Sequence, residues 1–198
     1  MSFTANANGP RGFDPVRAGQ GLAPRMREFL IATTPYATSL FTGQPVGLAT
    51  TGFLIALADD ANPVVGVFAG CEYVASDGSI VFSNYWPAST AVKTGSKIKA
   101  NVYPAENNQF LIHSDAALTV AEIGEYFPLT TTVGTGGSTI TGRSSAQLDG
   151  SEGSATAAGL LVQVVSVSPR EEGGSHAGTL AVVKFIRPDF GGKLDGAA

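Results

Sequence analysis

The chain has 198 residues, 43% of them hydrophobic and only 14% charged, with a formal net charge of −4. That length suits one domain with a real core, and a charge content well below the about 25% of an average soluble domain argues against disorder. A single cysteine, Cys71, excludes an intrachain disulfide, two histidines leave little for a zinc centre, and the basic footprint of a nucleic-acid binder is missing.

In chain order, residues 1–27 are expected to form an extended amino-terminal arm. Glycine or proline falls at positions 9, 10, 12, 15, 19, 21 and 24, and each proline biases the residue before it towards extended conformations. Phe3, Phe13, Val16 and Leu22 stand as isolated apolar anchors with Arg11 and Arg17 between them. This reads as a strap for another surface, one that can be removed without unfolding the rest.

Residues 28–188 are expected to form an all-β body, an antiparallel β-barrel or β-sandwich. Short runs rich in Val, Ile, Phe, Tyr and Thr alternate with glycine, proline and asparagine, and no long helical periodicity competes with them. Strands are expected at 28–32, 45–50, 53–58, 64–73, 79–83, 96–103, 109–114, 160–167 and 179–186. Asp77-Gly78 between two of these runs signals a hairpin, and Pro63 and Pro104 bound strands rather than interrupt them. Residues 117–125 read as a short helix or turn with Asp115 as N-cap. Residues 130–159, dominated by Thr, Ser, Gly and Ala, read as a long loop or surface hairpin. Residues 189–198 read as a flexible tail.

Charge is unevenly placed. Four arginines lie in residues 1–28, no Lys or Arg occurs from 29 to 92, and Lys93, Lys97 and Lys99 then form a short cluster. Three lysines on an acidic chain neutralise too few phosphates for nucleic-acid affinity, so a solvated strand face is expected. The opening MSFTANANG lacks the basic and apolar regions of a signal peptide. The apolar runs are far too short for a membrane span. Neither a membrane nor a nucleic acid is expected as partner, and synthesis in a reducing compartment is expected.

No catalytic constellation emerges, and no enzyme, cofactor or metal site is expected. His113-Ser114-Asp115 holds the residue types of a triad, but neighbours on a strand point to opposite faces. A G-x-S-x-G elbow does not occur, Gly134-Thr135-Gly136-Gly137 lacks the lysine and flanking elements of a phosphate loop, and Asp59-Asp60 reads as a solvated turn. The most specific stretch of the body is Phe82-Ser83-Asn84-Tyr85-Trp86-Pro87-Ala88, which holds the sole tryptophan. It reads either as a core plug or as an interface anchor, since Trp and Tyr dominate binding hot spots.

Four segments together resemble capsid decoration, or cement, proteins of tailed bacteriophages. They are Asn8-Gly9-Pro10-Arg11-Gly12-Phe13-Asp14-Pro15-Val16-Arg17, Leu40-Phe41-Thr42-Gly43-Gln44-Pro45-Val46, Gly66-Val67-Phe68-Ala69-Gly70-Cys71-Glu72-Tyr73 and the Phe82–Ala88 stretch. Gly43-Gln44-Pro45 departs from the Gly-Asp that many members carry. The resemblance implies a non-enzymatic protein made in the host cytoplasm and carried on the outer surface of a virion, bound to the major capsid protein lattice and self-associated, commonly as a homotrimer. The partner-binding residues it suggests are Arg11, Phe13, Pro15, Arg17, Tyr85 and Trp86. Two rival readings are a glycan-binding adhesin or fibre domain of a virion, which would display exposed aromatic platforms, and a small β-barrel hydrolase, which lacks a base–nucleophile pair.

Overall fold

The computed structural model describes residues 11–18, 21–33, 36–57, 63–130, 136–157, 160–167 and 179–186. The expected tail at 189–198 lies outside them, as do Asp59, Asp60, His176 and residues 1–10. The chain is almost entirely β, with 3% helix, and its antiparallel sheets do not close, so the architecture is sandwich-like rather than a barrel.

Among the described residues thirteen strands follow one another: β1 (Asp14–Ala18), β2 (Arg27–Ile31), β3 (Leu40–Phe41), β4 (Pro45–Leu48), β5 (Leu54–Ala56), β6 (Gly66–Val74), β7 (Ile80–Ser83), β8 (Tyr85–Trp86), β9 (Ile98–Pro104), β10 (Asn108–His113), β11 (Tyr126–Phe127), β12 (Val162–Val167) and β13 (Leu180–Phe185). One sheet runs β1-β10-β13-β12-β11, and the other runs β2-β9-β6-β4-β5 with β7 added to β6. A small ladder joins β3 to β8. The chain crosses from one main sheet to the other through the short β9–β10 turn, which places Asn107 at φ 60°.

Each sheet has its own core, and alternation explains both. In β9 the inward Ile98, Ala100 and Val102 are buried while Lys99 and Asn101 face water, the period of a half-buried strand. These three pack with Leu40, Phe68 and Trp86. Phe68 and Cys71 stand three residues apart, which would put them on opposite faces of a regular strand. The extra residue Ala69, between the Phe68↔Val102 and Gly70↔Asn101 pairs, returns both to the inward side. The other core joins Phe110 and Ile112 of β10, Val162 and Val164 of β12, and Val183 and Phe185 of β13. Its cover is the irregular segment after β11, where Ala146 and Leu148 are buried.

The expected arm is corrected over 11–18. β1 pairs antiparallel with β10, and Phe13 is 1% exposed within the core. Removing these residues therefore strips an edge strand and a core side chain from the body. The run DPVRA offered no alternation because Val16 is a bulge residue between the Pro15↔Phe110 and Arg17↔Gln109 pairs. Pro15 is tolerated because β1 is an edge strand. The expected helix or turn at 117–125 is a single 3-10 turn, Val120–Glu122, and its cap is Thr119 rather than Asp115. Thr119 and Glu122 satisfy each other's backbone in a capping box, whereas Asp115 accepts a hydrogen bond from Gly150 N.

Candidate interaction surface

The turn between β3 and β4, Thr42-Gly43-Gln44, is the meeting point of the four segments singled out above. Phe13 N donates to Gly43 O, Gly43 N donates to Phe68 O and Phe68 N donates to Gln44 O, at 2.8, 2.8 and 2.9 Å. Thr42 N donates to Gly142 O and Ser144 N to Thr42 O, both at 2.9 Å, and the Thr42 hydroxyl donates to Asn84 O. Five separate stretches of backbone are thus tied at one point. Such close approach requires glycine: a Cβ on Gly12, which sits at φ +71°, would collide with the Gly43 carbonyl and lie 2.8 Å from the Ser144 Cβ.

Gln44 replaces a backbone group in this knot. It is 1% exposed, and its Oε1 accepts from Phe41 N at 2.9 Å. Its buried Nε2 has no hydrogen-bond partner among the described residues, so the site carries a polar cost of a kind that folded proteins rarely keep.

The suspected contact residues divide sharply. Phe13 and Trp86 are core side chains, at 1% and 0% exposure. Phe13 lies 4.9 Å from the Phe185 ring and 6.1 Å from Phe110, and Trp86 meets Tyr73 edge-on at 5.3 Å. Trp86 is therefore a plug, available neither to a partner nor to a glycan. Pro15 is half-buried, paired with Phe110. Tyr85 is half-buried and stacks on Phe41 at 5.6 Å. Only Arg11 and Arg17 remain exposed. Arg17 Nε donates to Gln109 Oε1 at 2.6 Å across the β1–β10 ladder. Arg11 places a terminal nitrogen 3.5 Å from the buried His113 Nε2. Beside them Asp14 pairs with Arg143 at 2.9 Å. These groups and the 45% exposed Val16 form a charged, bulged edge.

A second surface adjoins Tyr85 and exposes residues that were not among the expected contacts. Phe82 is 77% exposed, Ile80 63% and Ile140 95%. Phe82 and Ile140 line a shallow depression of about 240 Å³ together with Ser83, Asn84, Tyr85 and Thr141. The signal was legible: the period of two in Ile80-Val81-Phe82-Ser83 puts Val81 against the core and Ile80 and Phe82 outside.

The triad residue types do not converge. Ser114 Oγ accepts from Ala116 N, Asp115 accepts from Gly150 N and His113 faces Arg11. Among the described residues no group of three His, Cys, Asp or Glu is placed to hold a metal ion, and none of their helices is long and apolar enough to cross a membrane. Lys93, Lys97 and Lys99 are exposed, with Lys99 3.4 Å from Glu28. Burial pushes the Cys71 thiol up to about 12, which keeps it protonated and unreactive. No protein-family model matches the chain, nor does any curated protein or solved structure.

Proposed function

We propose that this chain is a non-enzymatic capsid decoration protein, which binds the major capsid protein lattice on the outside of a phage head and stabilises it. The observation that carries the reading is the convergence of the four resembling segments on the Thr42–Gln44 turn. Residues scattered over the first half of the sequence form one structural unit, as a shared scaffold requires, and none of them assembles a reactive centre.

The contact with the shell is assigned to the β1 edge. It offers a strand edge that pairs with no other strand among the described residues, the exposed Val16 and the guanidinium groups of Arg11 and Arg17, a mixture of apolar and planar cationic groups typical of interface anchors. A protein that bridges neighbouring capsid subunits gains those contacts only in the mature lattice, and so stabilises that state by mass action. Self-association, which the resemblance also implies, would raise avidity further through effective concentration.

The test is co-sedimentation of the purified protein with expanded and unexpanded heads. Saturable binding to expanded heads alone is expected, with Val16→Asp/Arg17→Glu weakening it by at least about tenfold, or about 1.4 kcal/mol. Absence of binding to expanded heads overturns the proposal.

A further inference from the structure

We propose that the β7 edge is a self-association site, at which two copies of this chain pair their β7 strands antiparallel across a two-fold axis. This inference stands apart from the capsid reading, since it rests on one strand and its register.

Edge strands are usually blunted by charge, proline or a bulge. β1 carries Pro15, a bulge and Arg17, and β2 carries Arg27 and Glu28. β7 carries none of these devices. Its sequence is Ile-Val-Phe-Ser, it is regularly paired to β6, and among the described residues it pairs with no other strand. It also turns its two largest side chains, Ile80 and Phe82, to solvent.

The backbone is oriented for a second partner. Ala75 N donates to Ser79 O at 2.8 Å, which makes Ala75 and Ser79 a hydrogen-bonded pair of the β6–β7 hairpin. By the alternation of antiparallel ladders, Val81 and Ser83 spend their backbone groups on β6, while those of Ile80 and Phe82 point outward.

One register satisfies a second copy fully. With Val81 on the axis, Ile80 faces Phe82 of the other copy, and the reverse. Those are the residues with outward backbone groups, so two hydrogen-bonded pairs form. The same register sets an aliphatic β-branched side chain against an aromatic one twice, a favourable cross-strand combination. It juxtaposes no like charges, because residues 79–83 carry none. That is the reason for choosing a second copy over a charged partner: an uncharged, apolar edge complements itself. Glu72 beside Phe82 lies opposite Lys99 on β9, and Lys93, bonded through its backbone to Val74, completes the charged surroundings. Ile140, next to Phe82 in the same depression, extends the apolar contact.

Two short strands bury less than a standard interface, so the dimer is weak, with a dissociation constant on the order of 100 μM. Sedimentation equilibrium across a concentration series should show a monomer–dimer transition in the parent. Phe82→Lys should raise the dissociation constant at least about tenfold without changing the melting temperature, because the ring is 77% exposed. Register is read by mixing Ile80→Cys with a differently tagged Phe82→Cys chain under a mild oxidant, which should give chiefly the mixed cross-linked dimer. Four outcomes overturn the proposal. They are a parent that stays monomeric at millimolar concentration, an oligomer of any size indifferent to Phe82→Lys, cross-linking without preference for the mixed pair, and capture of another protein's strand at this edge in place of self-association.

Discussion

Phe13→Ala separates a strap from a strand. If residues 11–18 only lay on a partner, truncating Phe13 would leave the isolated protein unchanged. In the structure its ring is 1% exposed and belongs to an aromatic trio with Phe110 and Phe185, whose own centroids are 5.4 Å apart. Truncating a buried Phe costs about 3–5 kcal/mol through lost transfer energy and the cavity left behind. The two ring pairs that disappear sit within that figure, at about 0.5–1.5 kcal/mol each. For a domain of this size each kcal/mol lowers the melting temperature by about 2–4 °C, so a drop of about 6–20 °C is expected by calorimetry. Phe13→Leu, which keeps most of the apolar volume, should fall between the two. Deletion of residues 2–20 should be at least as damaging, because it also removes the β1–β10 ladder. A melting temperature for Phe13→Ala within about 2 °C of the parent would refute the placement of Phe13 in the core.

Four further outcomes follow from the same geometry. Gly12→Ala should cost about 1–3 kcal/mol or more in strain and collision, and clearly more than Gly21→Ala, where φ is +76° but the space is open; equal losses in urea denaturation would contradict the knot at Gly43. Cys71 should resist an aromatic disulfide reagent at pH 8 until guanidinium is added, and rapid native labelling would contradict its burial. Because burial raises its folded-state pKa from 9.0 to about 12, its contribution to stability is complete below pH 9 and is lost as pH rises towards 12; Cys71→Ala should flatten that part of the alkaline stability curve, while Tyr36, also pushed up by burial, keeps the remainder sloping the same way. Arg143→Ala should cost less than about 1 kcal/mol, since its ion pair with Asp14 is partly solvated; a larger loss would mean that the pair clamps β1.

The elements that sequence alone marked most clearly are those in which one face is apolar and the other polar. β9, with Ile98, Ala100 and Val102 inward, is legible because the side-chain period of a strand is two, and burial writes that period into the chain. β7, β10, β12 and β13 were expected within about two residues of their bounds for the same reason, and β2, β4, β5 and β6 as apolar or β-branched runs bounded by glycine, proline or asparagine. Two-residue strands such as β3, β8 and β11 are too short to show any period. In β1 the bulge at Val16 breaks it, so a core strand looked like a leader. Trp86 and Phe82 mark the limit most clearly. They are four residues apart, both large and aromatic, and composition treats them as equivalents. The turn at Asn84 and the pairing of β8 with β3 send Trp86 inward to Tyr73, while β7, bordered among the described residues by β6 alone, leaves Phe82 outside. Which aromatic becomes core and which becomes surface depends on the strands that arrive beside them, and those come from residues tens of positions away in the chain.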